Sequence, residues 1–248
     1  MKKQANRKSW KVTALIIILA LAAGCVFYVS DYYRALPEAL AVVSEPTDGV
    51  TITEEKKERI VFAPEDVKAG LIFYPGGKVQ YEAYAPFMEA LAEEGILCVL
   101  LHMPANLAVL DMNAAEGIAE EYPDIEKWYI GGHSLGGSMA ASYAVKNTEE
   151  LEGLILLAAY STAALQDSGL DVLSIYGSND GVLNLEKYDK YRNNLPEDFK
   201  EEVIVGGNHA YFGMYGNQEG DGEATIANEV QLQITTEIIV ANILENQL

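Results

Sequence analysis

Residues 131–137, Gly-Gly-His-Ser-Leu-Gly-Gly, leave this chain few ways to fold around them. The preceding Lys127-Trp128-Tyr129-Ile130 reads as a strand, and Ser138-Met139-Ala140-Ala141-Ser142-Tyr143-Ala144 reads as a helix. The chain must therefore pass from strand to helix through one abrupt bend, with Ser134 at its apex. Gly132 and Gly136 flank the serine where a larger side chain would collide with neighbouring backbone. Such a bend lifts the serine hydroxyl clear of the sheet and points the N–H groups of the new helix at whatever it attacks. G-x-S-x-G between a strand and a helix is how a nucleophilic serine is presented.

Other segments set the context. Residues 70–74, 96–101, 154–158 and 172–176 are apolar runs of strand length, as expected of strands covered on both faces. Residues 50–52, 59–62 and 202–205 read as further short strands, and residues 81–94, 110–121, 184–192 and 224–244 as helices. Strands alternating with helices predict an α/β fold with a mostly parallel sheet and helices on both faces. At 248 residues and 50% hydrophobic content, the expected organisation is one such domain over 49–248, a linker over 31–48 and a separate leader over 1–30. Ligands of open α/β sheets bind beyond the carboxyl ends of the strands, where every candidate below falls.

A serine hydroxyl needs a base, and the base needs an anion to orient it. For this type of bend the chain order is serine, acid, histidine. After Ser134 the one histidine is His209, in Gly206-Gly207-Asn208-His209-Ala210 directly after a strand. The candidate acid is Asp180, which follows a buried strand and precedes a helix; the alternative for it is a turn or capping residue. Asp167, Asp171 and Asp189 compete less well, lying before the strand, at its start and inside a charged helix. Oxyanion donors are expected from the Leu135 N–H and from Pro75-Gly76-Gly77-Lys78, with Gly77 the first choice and Lys78 the second. His133 is expected to point away from the site, His102 either to line a pocket or to cap a strand, and residues 220–223 to form a turn.

The net charge is −20, yet five of the first eleven residues are basic, leaving 12 basic against 37 acidic side chains in the rest. That excludes a nucleic-acid surface, which requires basic patches. The basic start precedes an uncharged apolar stretch over 12–29. This pattern predicts a leader that remains at the membrane with the acidic domain exported. An uncleaved signal anchor and a lipoprotein signal at Ala22-Ala23-Gly24-Cys25 both fit, with cleavage and release as a third outcome. Two cysteines and three scattered histidines predict no disulfide, metal or cofactor. No pattern speaks to oligomeric state.

The chain resembles the small bacterial α/β-hydrolases of the dienelactone-hydrolase-like group. The likeness covers about residues 50–245 and rests on residues 74–79, 103–108 and 131–137. It rests most specifically on His209-Ala210-Tyr211-Phe212-Gly213-Met214-Tyr215-Gly216, followed by Gln218 and Gly220-Asp221-Gly222. The resemblance implies an α/β-hydrolase fold with Ser134, Asp180 and His209 as a triad and Gly77 and Leu135 near the oxyanion. His102 departs from it, because a longer basic residue is more usual there. Lids in this fold enter after the strand that follows the serine-bearing helix, and residues 161–170 are too few for a cap domain. The expectation is an open serine hydrolase cleaving small or exposed carboxylic esters without cofactor. Acyl transfer through the same triad, or a non-catalytic binding module on the scaffold, are the alternatives.

Overall fold

The apolar runs form the middle of a twisted sheet in the computed structural model, which describes residues 2–45, 47–56 and 58–245. The strands are β1 (Val50–Glu55), β2 (Arg59–Pro64), β3 (Ala69–Tyr74), β4 (Ile96–Leu101), β5 (Trp128–His133), β6 (Gly153–Leu157), β7 (Asp171–Gly177) and β8 (Lys200–Ile204). The helices are α1 (Lys2–Ser30), α2 (Pro37–Ser44), α3 (Ala85–Glu93), α4 (Leu135–Ala144), α5 (Leu185–Tyr191) and α6 (Asn228–Glu245). The sheet order is β1-β2-β4-β3-β5-β6-β7-β8. β1 and β2 are antiparallel, as are β2 and β4, and all the other pairs are parallel. β3 therefore lies between β4 and β5. The chain leaves it first towards one edge and then towards the other, which makes the carboxyl ends of β3 and β5 a switch point, the place where ligands of open α/β sheets bind.

Each central strand feeds two cores by simple alternation. Leu71 and Phe73 of β3 face one layer with Phe87 and Leu91 of α3 and Ile239 and Ile243 of α6. Ile72 and Tyr74 face the other, with Ala140, Ala141 and Ala144 of α4. Burial of each large apolar side chain contributes about 1.5–3 kcal/mol. Alanines along α4 let it lie close to the sheet, which fixes the direction in which the bend before it points. Between β6 and β7 there is no helix and no cap domain among the described residues.

The structure departs from expectation in three segments. Residues 110–121 are turns and single 3-10 turns instead of a helix. The Tyr74 hydroxyl donates to the Met112 carbonyl (2.9 Å) and accepts the Ala115 N–H (3.1 Å), capturing groups that a helix would pair internally. The expected linker over 31–48 contains α2, whose Ala39 is fully buried. Tyr33 bridges to Val79, and the Leu36 N–H donates to the Met214 carbonyl (2.8 Å), so this segment packs on the domain. The region 81–94 begins as a 3-10 turn over Tyr81–Tyr84 before α3.

Residues up to Tyr32 form one compact unit, and those from Tyr33 onward another. In the first, Trp10–Ser30 is long and apolar enough to cross a membrane. Its side chains, Ile16, Leu19 and Phe27 among them, are exposed.

Candidate active site

Three loops at the carboxyl ends of β5, β7 and β8 carry the serine, the acid and the histidine. Ser134 follows β5 directly and has φ +54° and ψ −120°. A non-glycine residue held there stores about 1–3 kcal/mol of strain, which the surroundings must offset. They do so partly by pairing, since the Ser134 N–H donates to the Leu157 carbonyl at the end of β6 (2.9 Å). They do so also by contact: a Cβ on Gly136 would lie 2.2 Å from the Tyr74 carbonyl oxygen and 2.3 Å from that of Pro75. The helix start is thus pressed against the end of β3, and only glycine fits.

The same contact brings the loop after β3 to the serine. A Cβ on Gly77 would lie 2.9 Å from Leu135 Cδ2, so these two residues are neighbours. The Gly76 N–H donates to the Tyr84 hydroxyl (3.0 Å). Lys78 is in the left-handed region (φ +59°), and its N–H donates to the Asn106 carbonyl (2.7 Å). That bond rules against Lys78 as the second-choice donor. The Gly77 and Leu135 N–H groups are not engaged among the described residues.

Asp180 and His209 meet. His209 Nδ1 lies 2.9 Å from Asp180 Oδ2, and both side chains are 1% exposed. A carboxylate only accepts, so Nδ1 donates the proton of that bond, and in the neutral tautomer this makes Nε2 the accepting nitrogen. Nε2 is buried and without a hydrogen-bond partner among the described residues, Ser134 included. Asp180 Oδ1 accepts the N–H groups of Val182 (2.9 Å) and Leu183 (2.7 Å), which aims Oδ2 at the imidazole. The two loops touch backbone to backbone, for a Cβ on Gly177 would lie 2.4 Å from the Gly207 carbonyl carbon. Asp171 instead accepts from Asn242 of α6 (2.8 Å), and Asp189 lies within α5.

His133 is a correction. It is not turned away from the site, since its ring lies 4.5 Å from that of His209, centroid to centroid. Its Nδ1 is 2.8 Å from the Tyr84 hydroxyl. That hydroxyl accepts from Gly76, and its own proton has no acceptor among the described residues other than His133 Nδ1, so it donates there. Burial holds the Tyr84 hydroxyl well above the usual tyrosine range, which keeps it protonated for the task. The His133 imidazole is held well below the usual histidine range by burial first and by repulsion from His209 second, with the His209 main chain partly opposing. His133 is therefore a neutral wall behind the base. His102 is exposed and stacks on Tyr81, with centroids 4.5 Å apart.

Sequence reasoning missed two side chains that bond to these histidines, Tyr84 and Asp221. The Asp221 carboxylate accepts backbone N–H groups from Gly181, His209, Ala210 and Gly222. The resemblance runs through Gly220-Asp221-Gly222, which is the one signal at this turn, but it assigns Asp221 no role. Among the described residues no three His, Cys, Asp or Glu side chains gather as metal ligands. The arrangement as a whole offers a strained serine, a histidine bonded to a buried aspartate and two unengaged N–H groups at a sheet switch point.

A family model for the alpha/beta hydrolase family matches residues 70–233, and the chain belongs to that family. Among solved structures it is similar to a predicted CIB-like hydrolase from Thermoplasma acidophilum. The identity is 14% over 77% of this chain and 99% of that one, with a TM-score of 0.54. It is similar to TT1662 from Thermus thermophilus at 14% identity over 79% and 98%, with a TM-score of 0.57. Est1E from Butyrivibrio proteoclasticus matches at 15% identity over 79% and 99%, with a TM-score of 0.52. These likenesses concern the fold. No curated protein matches the chain.

Proposed function

We propose that this hydrolase-family protein is a serine hydrolase that cleaves carboxylic esters, with Ser134 as nucleophile, His209 as base and Asp180 as the orienting acid. The observation that carries the reading is the buried Asp180–His209 bond, which engages Nδ1 and leaves Nε2 free, together with a serine strained at a strand-to-helix bend. His209 Nε2 takes the Ser134 proton as Oγ attacks the ester carbonyl, and the N–H groups of Gly77 and Leu135 receive the developing oxyanion. The tetrahedral intermediate collapses, the C–O bond to the alcohol breaks, and His209 returns its proton to the departing alkoxide. Water then attacks the acyl-Ser134 carbonyl, again giving a proton to His209, and the acid is released as Ser134 recovers that proton.

Without a cap between β6 and β7, small or exposed acyl groups fit best, and lipid aggregation brings no jump in rate. The unpartnered Nε2 is what a non-catalytic scaffold would also show, although catalytic hydrogen bonds often form only in the substrate complex. Fluorophosphonate labelling followed by a p-nitrophenyl ester series of rising chain length tests the proposal. Labelling lost in Ser134→Ala, with turnover highest for short chains, supports it. Unlabelled wild-type protein, or equal labelling of Ser134→Ala, ends it.

We also propose that Trp10–Ser30 anchors the protein in the membrane with the domain outside. The support is the apolar span itself and the basic residues that precede it. Protease treatment of intact spheroplasts would degrade the domain if this is so; protection until lysis would reverse the orientation.

A further inference from the structure

We infer that Asp221 is a positioning residue that holds the base and its acid in register; this rests on the triad proposed above. One carboxylate reaches two separate stretches of backbone outside its own turn. Oδ1 accepts the Gly181 N–H at 3.0 Å and the His209 N–H at 3.2 Å, and Oδ2 accepts the Ala210 N–H at 2.8 Å. The remaining bond, from the Gly222 N–H at 2.8 Å, is the only one internal to its own turn. Gly181 is the residue after Asp180, so both partners of the Nδ1–Oδ2 bond have their main chain tied to the same anion. A turn residue would need one of these contacts; it would not reach across 11, 12 and 40 positions of sequence.

Asp221 does not compete for the acid role. Its oxygens face backbone N–H groups, and the imidazole proton goes to Asp180. What it controls is where Nε2 stands relative to Ser134 Oγ. That distance must close to about 2.6–3.2 Å for proton transfer. Displacement of a base by about 1 Å costs on the order of a hundredfold in rate. Four N–H groups converging on one charge are charge-assisted and roughly twice as strong as neutral bonds, which suits a brace against such drift.

The turn that carries Asp221 is held in place independently of its carboxylate. The Asn208 side chain donates to the Gly222 carbonyl (2.9 Å), and that of Asn179 donates to the Glu223 carbonyl (2.8 Å). Replacing the carboxylate therefore loosens the base loop more than it unfolds the domain.

The test compares Asp221→Asn and Asp221→Ala with wild type in the full-length protein. The kcat and KM for p-nitrophenyl acetate are measured, with active sites counted by exhaustive fluorophosphonate titration. The expected result for Asp221→Ala is a kcat per titrated site lowered about ten- to a hundredfold with KM within twofold. Asp221→Asn keeps one accepting oxygen and is expected to lie between. Should the alanine variant fail to fold, the asparagine variant decides. Fewer titratable sites with an unchanged kcat per site would show a merely structural role and overturn the inference, as would unchanged kinetics in both variants. Ser134→Ala separates the two claims. If it retains activity the triad falls, and this inference with it; if it is inactive while the Asp221 variants turn over normally, only the positioning role falls.

Discussion

The two halves of the site are built by different physics. On the Ser134 side, the ends of β3 and β5 and the start of α4 are held by shape. Gly136 presses on the carbonyls of Tyr74 and Pro75, Gly77 packs against Leu135, and Ser134 is strained between them. On the His209 side, the loops after β7 and β8 are held by a chain of side-chain bonds to backbone, centred on Asp180 and Asp221. A half held by steric contact tolerates almost no added atom. A half held by hydrogen bonds tolerates atoms but not the loss of an acceptor. The first kind of order is rigid and local, whereas the second gathers stretches far apart in sequence.

The largest effect should come from breaking the bonded half at its centre. In Asp180→Asn the amide offers a donor where Nδ1–H needs an acceptor, which turns the imidazole to the wrong tautomer. Removal of the equivalent function in known triads costs about 10⁴-fold in kcat. Ester turnover and labelling rate of Asp180→Asn are expected to fall by that order with the melting transition nearly unmoved. A loss below tenfold would mean that another group orients His209. Next comes the close-packed half. Gly136→Ala puts a methyl group inside the van der Waals radius of two carbonyl oxygens that cannot move without β3. Overpacking against side chains costs ~1–3 kcal/mol; here, against backbone, about 3 kcal/mol or more is expected in urea denaturation. A stable, active Gly136→Ala would show that the bend is not held sterically.

The same contrast explains what could be read from sequence alone. Close-packed order leaves a local signature: Gly-Gly-His-Ser-Leu-Gly-Gly between apolar runs announces the bend, and the runs announce β3 to β7 because both faces of those strands are buried. His209 was legible because no other histidine follows Ser134. Bonded order leaves little trace. Asp221 sits in a Gly-Asp-Gly stretch that any turn could carry, and its partners lie up to 40 positions away. Residues 110–121 have helix-like composition, but the buried Tyr74 hydroxyl, remote in sequence, claims two of their backbone groups. The helix within 31–48 follows from Ala39 and its neighbours finding an apolar seat on the domain, which their own composition does not reveal.

His133 lies where the halves meet, and its titration sharpens the comparison through stability. The folded ring is kept neutral, whereas in the unfolded chain it titrates near the usual ~6.5. Below that pH the unfolded state binds a proton that the folded state refuses, so stability falls as pH is lowered and is unaffected well above 6.5. Between pH 7.5 and 5.5 this one group should remove about 1.4 kcal/mol. His133→Asn should lose correspondingly less stability than wild type over that interval in urea titrations. Identical losses would mean that the ring takes up its proton in the folded protein.

The smallest expected effect on turnover comes from the residue that joins both mechanisms. The Tyr84 hydroxyl accepts from Gly76 on the close-packed side and donates to His133, whose ring backs His209 on the bonded side. Tyr84→Phe keeps the aromatic packing on Phe73, so shape is preserved and only the bonds go. The buried Gly76 N–H and His133 Nδ1 are then left without partners, which costs about 1–3 kcal/mol of stability. If Gly77 is an oxyanion donor, loosening its neighbour should lower kcat by a few fold and leave KM unchanged, since the ground-state ester does not use that donor fully. Equal loss in the rates for an ester and for a fluorophosphonate is expected, because both develop charge on the same oxygen. A Tyr84→Phe protein with wild-type kcat and reduced stability would show that the close-packed half keeps its donor in place without help from the bonds behind it.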